Sequence, residues 1–201
     1  MLGHTVRLHP FAPADPATSA TASVATSVTA SISLERPAGR GPVLRLAFRL
    51  SWPDATALRL PPPADPPGRR DGLWEHTCLE CFLAAADEPA YWEINLSPGG
   101  DWNVYRLEAY RQGLQPDADY PALPFTCRRS AAELEMALHC PLPAALHGVD
   151  ALVWNPTAVL EASDGSLSYW APRHASAAPD FHDRTLWMRT PPPGDAPAMA
   201  Q

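Results

Sequence analysis

The sequence predicts an all-β protein, a two-sheet antiparallel β-sandwich of jelly-roll or immunoglobulin-like type. Three observations carry that prediction. The 25 Pro and 11 Gly in 201 residues interrupt the chain too often for long helices. About ten segments show the two-residue alternation of half-buried strands. Turn signals such as ADEP, SPGG and DG fall between them. With 46% hydrophobic residues the chain can bury a sizeable core, and its length fits one domain over residues 1–190.

In chain order, His4 to Leu8 forms a first short strand before the Pro- and Ala-rich FAPADPA. From Val24 the alternation is plain: Val28, Ala30, Ile32 and Leu34 interleave with Ser27, Thr29, Ser31 and Ser33. Val43 to Trp52 repeats it, with Leu44, Leu46, Phe48 and Leu50 opposed to Arg45 and Arg49. After a short candidate around Leu58, PPPADPPGRRDG cannot hold a ladder and is expected as a long surface loop. LECFLA, AYWEINLS and DWNVYRLEAYR then read as an antiparallel meander. Pro116 to Pro124 is expected as loop and Phe125 to Arg128 as an edge strand. Leu134, Met136, Leu138 and Cys140 alternate with Glu133, Glu135 and His139 in a further strand. Ala151 to Ala162 is expected as a strand broken at Asn155 and Pro156. Asp164-Gly165 turns it into a return strand at Ser168-Tyr169-Trp170. Thr185 to Arg189 closes the domain, and residues 191–201 read as a disordered tail.

Composition excludes several function classes. The formal net charge is −7, all 15 basic residues are Arg, and no Arg cluster marks a nucleic-acid footprint. Without Lys there is neither Schiff-base chemistry nor a Lys-dependent phosphate loop. No charged start followed by an apolar run suggests secretion, and no run reaches membrane-spanning length, so a cytoplasmic location is expected. In that compartment Cys78, Cys81, Cys127 and Cys140 are expected as free thiols. The C-x-x-C spacing of the first two sends them to opposite faces of a strand.

The densest chemistry lies between Asp71 and Arg111. On the strand around Glu93, Tyr91, Glu93, Asn95 and Ser97 share one face, while Trp92, Ile94 and Leu96 take the other. A sugar site needs flat apolar surface for ring hydrogens and fixed polar groups for hydroxyls. The candidates are Trp74, Trp102 and Trp170 for stacking, with Glu80, Glu93, Asn95 and Tyr105 for hydrogen bonding. His76 and His182 are placed at the rim. Core packing is the competing role for the three Trp, and a cross-strand pair with Arg106 or Arg111 is the competing role for Glu93.

LWEHTCLECFL, YWEINLSPGGDWNVYR and the stretch from Leu167 to Arg184, with SYWAP and PDFHDR, resemble the bacterial DOMON-like domain proteins. Their wider group includes family 9 carbohydrate-binding modules and haem-binding DOMON domains. The resemblance implies a β-sandwich, which in that group serves for sugars, for haem or for no known ligand. The aromatic and carboxylate density of the central meander points to non-catalytic binding of a carbohydrate or similar polar small molecule. It also raises haem as a cofactor, for which His76, Met136, His139, His174, His182 and Met188 are the available ligands. No C-x-x-C-H motif for covalent haem attachment is present. His174, Asp180, His182 and Asp183 match no regular zinc spacing, and no resident metal is expected. The enzymatic alternative is a hydrolase using Glu80 and Glu93 as a carboxyl pair. The sequence carries no indication of oligomeric state.

Overall fold

A computed structural model describes residues 3–12, 25, 27–53, 57–149 and 151–189. Val24 and the tail at 191–201 lie outside them. The strands are β1 (Gly3–Pro10), β2 (Ser27–Glu35), β3 (Val43–Ser51), β4 (Cys78–Ala85), β5 (Tyr91–Leu96) and β6 (Trp102–Leu107). They continue with β7 (Gln115–Pro116), β8 (Phe125–Arg129), β9 (Glu133–Pro141), β10 (Leu152–Glu161), β11 (Leu167–Ala171) and β12 (Met188–Arg189). Three single 3-10 turns, Leu73–Glu75, Ala144–Leu146 and Arg184–Leu186, are the helical content among the described residues. No described helix is long and apolar enough to cross a membrane.

The strands form one antiparallel path in the order β7-β6-β5-β4-β10-β11-β1-β2-β3-β9-β8, with β12 also paired to β10. The hinge of this path is β1. Its first part, Gly3 to Leu8, pairs with β2, and then His9 and Pro10 pair with Ala171 and Trp170 of β11. The sheet therefore curls, and inward rows from both halves meet in one core. Ala30, Phe48 and Met136 form one such row across β2, β3 and β9. Leu79, Cys81 and Leu83 of β4, Trp92, Ile94 and Leu96 of β5, and Trp154 of β10 face them from the other half. The solvent side of the β2-β3-β9 half mixes small apolar residues such as Ala47 and Ala137 with polar and charged ones, and Arg49 pairs there with Glu135 at 2.6 Å.

Several local expectations are revised. The strand read through Arg111 stops at Leu107, because the chain turns back at Ala109–Gln112 and Arg111 adopts a left-handed φ of 53°. Pro116, expected at the start of a loop, instead adds a short edge to β6 together with Gln115. Leu58 makes an isolated bridge to Ala162 rather than a strand. β10 runs unbroken past Pro156. On one flank β12 covers Val153 and Trp154 and β11 begins at Ala158, so Pro156 lies in a stretch uncovered by either neighbour, where a missing N–H is tolerated. Finally, Thr185 belongs to a 3-10 turn capped by its bond to the Asp183 carboxylate, and only Met188 and Arg189 are strand. All four Cys are free, with Cys78 and Cys81 on opposite faces of β4.

Candidate functional site

On the face of β4, β5, β6, β10 and β11 turned away from the core, a second apolar cluster gathers Phe82, Tyr91, Tyr105, Leu107, Val159 and Phe181. A cavity of about 340 Å³ opens within it. Strand alternation builds its floor: Glu80 and Phe82 lie two apart on β4, and Phe82 is paired with Glu93 of β5. Val159 of β10 is paired with Tyr169 of β11. The 3-10 turn at Leu73–Glu75 brings Trp74 to one wall, its ring 5.8 Å from Tyr105 in an edge-on arrangement. Pro179, Phe181 and His182, from the segment between β11 and β12, form the opposite wall.

Two carboxyls lie at the bottom. Glu80 accepts a hydrogen bond from Thr157 Oγ1 at 3.0 Å, and Glu93 accepts one from Asn95 Nδ2 at 2.8 Å. Burial, and then the charge of Glu93, push Glu80 up from the usual 4.5 to about 8. Burial likewise raises Glu93 to about 7, although the Asn95 bond and the Arg111 charge oppose it. The two titrate as a pair and keep a proton near neutral pH. Next to them the Cys78 thiol is raised by burial and by both carboxyls.

The rim is a polar knot. Arg111 donates through its guanidinium to Asp180 at 3.0 Å, and Tyr110 donates to the same carboxylate at 2.7 Å. The Tyr91 hydroxyl accepts the Arg111 backbone N–H at 3.1 Å and lies 2.7 Å from His182 Nδ1. Since the hydroxyl accepts from Arg111, the consistent assignment has the Tyr91 O–H donating a hydrogen bond to Nδ1, with Nε2–H the donor of a neutral ring. Burial, with the Arg111 charge, lowers His182 to about 4 and agrees with a neutral imidazole.

Of the residues singled out in the sequence, Trp74, Glu80, Glu93 and His182 line the cavity. Asn95 and Tyr105 share its face, behind Glu93 and Trp74 respectively, and the Tyr105 hydroxyl donates to Asp71 at 2.7 Å. Trp102 and Trp170 are elsewhere. Alternation turns both to the core side, where they are buried, Trp102 beneath the Arg69 guanidinium at 4.6 Å. His76 is exposed and bound to Glu161 at 2.8 Å, outside the cavity lining. Glu93 is paired with neither Arg106, which lies over Trp92, nor Arg111, whose partner is Asp180. Met136 is buried in the core row, and His174 binds the carbonyl of His9. Among the described residues no group of three or more His, Cys, Asp or Glu is arranged to hold a metal ion.

Sequence reasoning passed over Phe82, Leu107, Val159 and Tyr169, which register with Glu80 and Glu93 would have found. It had no signal for Phe181 as a wall, since nothing local says where an irregular segment docks.

No family model matches the chain, and no curated protein matches it in sequence. Solved structures do. A protein from Bacteroides uniformis, provisionally named as carbohydrate-binding, shares 12% identity at a TM-score of 0.60, over 92% of this chain and 85% of its own. That likeness establishes a shared all-β fold. A family 9 carbohydrate-binding module from Caldicellulosiruptor kristjanssonii in complex with glucose aligns over 85% of this chain and 78% of its own, with 13% identity and a TM-score of 0.48.

Proposed function

We propose that the chain is a non-catalytic binding module for a carbohydrate or a similar polar small molecule, held in the cavity over β4, β5 and β10. The observation that carries this reading is the combination of aromatic walls and a polar floor in one concave site of ligand size. Trp74 offers the flat apolar surface, Glu80 and Glu93 face ring hydroxyls, and His182 Nε2–H is a further donor. The name of the Bacteroides protein, which shares the fold, supports the same ligand class. Within this proposal the two halves of the curled sheet are the two leaves of a DOMON-like sandwich.

Titration with a panel of mono- and oligosaccharides, neutral and charged, followed by tryptophan fluorescence and calorimetry, tests it. At least one sugar should bind, and Trp74→Ala should weaken that binding roughly tenfold or more, by loss of a stacking contact. A folded protein that binds none of the panel at millimolar concentration would overturn the assignment. A Soret band in the purified protein would instead favour haem.

A second reading has its own observation. Two buried carboxyls in one cavity, Glu80 held higher than Glu93, are candidates for a general acid and its partner in glycoside hydrolysis. Release of reducing ends from an oligosaccharide, lost in both Glu80→Gln and Glu93→Gln, would establish it in place of simple binding.

A further inference from the structure

The floor of the cavity holds more hydrogen-bond acceptors than donors. Glu80 and Glu93 each take one donor from the protein, Thr157 and Asn95 respectively. Behind them, out of the cavity lining, Asn95 gives its N–H to Glu93 and keeps a buried carbonyl Oδ1 with no hydrogen-bond partner among the described residues, so the acceptors that a ligand can reach are the two carboxyls.

The charges around the floor have the same bias. Glu80 comes from β4, Glu93 from β5, and Arg111 and Asp180 from the rim. Arg111 is ion-paired to Asp180, so its positive charge is balanced locally, and His182 is neutral. The facing residues of β10 and β11, Asn155, Thr157, Val159 and Tyr169, carry no charge. Two carboxyls therefore share an apolar site with no cation bonded to either among the described residues, Arg111 acting on Glu93 only at a distance, and a shared proton fills that role. The walls include four aromatic rings, Trp74, Phe82, Tyr169 and Phe181, and a ring that turns its face to the cavity attracts a cation.

We propose that the cavity selects a small ligand bearing an ammonium group, with an amino sugar as the form of carbohydrate it takes. The inference rests on the binding reading above. An ammonium group brings three N–H donors and one positive charge to a floor rich in acceptors and negative charge. On binding it replaces the proton held by the carboxyl pair, and that proton is released to solvent. A neutral sugar supplies donors but no charge, and an N-acetylated sugar lacks the cation and adds bulk.

The experiment compares glucosamine, glucose and N-acetylglucosamine by calorimetry at a pH below the amine's own pKa, in two buffers of different ionisation enthalpy. Glucosamine should bind at least tenfold more tightly than the other two and release up to about one proton per molecule bound, while glucose releases none. In Glu80→Gln and Glu93→Gln the ratio of glucosamine to glucose affinity should fall toward one. The proton release is read on the unaltered protein, so the test survives a variant that fails to fold. Equal affinities for glucosamine and glucose would overturn the ammonium proposal and leave the carbohydrate reading standing. Binding of none of the three would overturn the ammonium proposal, and the wider sugar panel then decides the carbohydrate reading separately. Tight glucosamine binding without proton release would show that the carboxyl pair is not its partner and would overturn the proposal as well.

Discussion

At the scale of single residues, Glu80, Glu93 and His182 make the stability of this protein depend on pH with a definite sign. The folded carboxyls hold their protons from the usual 4.5 up to about 7 and about 8, whereas the unfolded chain has lost them. Folded protein thus binds more protons in that window, and stability falls as pH rises through it. His182 acts in the opposite direction. Its folded value of about 4 lies below the usual 6.5, so its contribution is complete above 6.5 and is lost as pH falls toward 4. Between those two values the effects partly cancel, and above 6.5 the carboxyl loss stands alone. Thermal melts should show Tm declining from pH 6.5 to 8, by an amount on the order of a few kcal/mol in stability. In Glu80→Gln, which cannot ionise, the decline should be much shallower; an unchanged slope would remove the pair as its cause. The alternation of residues along β5 made the face of Glu93 and Asn95 readable in the sequence. The depth of that face was not readable, because it depends on Val159, Tyr169 and Phe181, which are far away along the chain.

At the scale of elements, the three Trp proposed together as stacking groups divide by strand parity. Trp102 pairs with Leu96 and points with it to the core, whereas Trp74 sits on a 3-10 turn on the other side. Trp102→Ala should therefore lower stability by about 3–5 kcal/mol in urea titrations, as large core truncations do. Trp74→Ala, partly exposed, should cost far less stability and act on binding. Counting in twos from Ile94 through its partner Val104 turns Trp102 inward, in favour of the core-packing role named for it in the sequence. The β5–β6 turn is a second sensitive element. A Cβ at Gly99 would stand 2.5 Å from the carbonyl oxygen of Pro62, in a segment tied to the turn by the Ala64 N–H to Gly99 carbonyl bond. Gly99→Ala should destabilise by about 1–3 kcal/mol, since backbone rather than a flexible side chain must give way. An unchanged urea midpoint would show that the 61–64 segment is free to shift. Strands β2, β3 and β9 were legible almost residue by residue, each having one wet face and one buried face. β10 was harder to read, since it is buried along nearly its whole length and Pro156 imitated a break.

At the scale of the whole molecule, β1 joins both halves of the sheet and the core is shared between them, so neither half keeps its buried face without the other. Unfolding in urea should be one transition, with far-UV circular dichroism and tryptophan fluorescence coincident; separated transitions would mean that the halves are independent. The all-β class was legible from Pro, Gly and alternation, but the single curled path was not, because the hand-over at His9 and Pro10 leaves no mark in the alternation pattern. The wall made by Pro179, Phe181 and His182 has a consequence of a different kind. These residues follow every strand that carries the cavity floor, so on a ribosome they emerge after the floor residues have all been made. Until then the cavity that Glu80 and Glu93 line lacks one wall. A ligand gripped between wall and floor would hold the segment down, and its presence should slow proteolytic cutting between residues 172 and 183 while leaving other loops as they were.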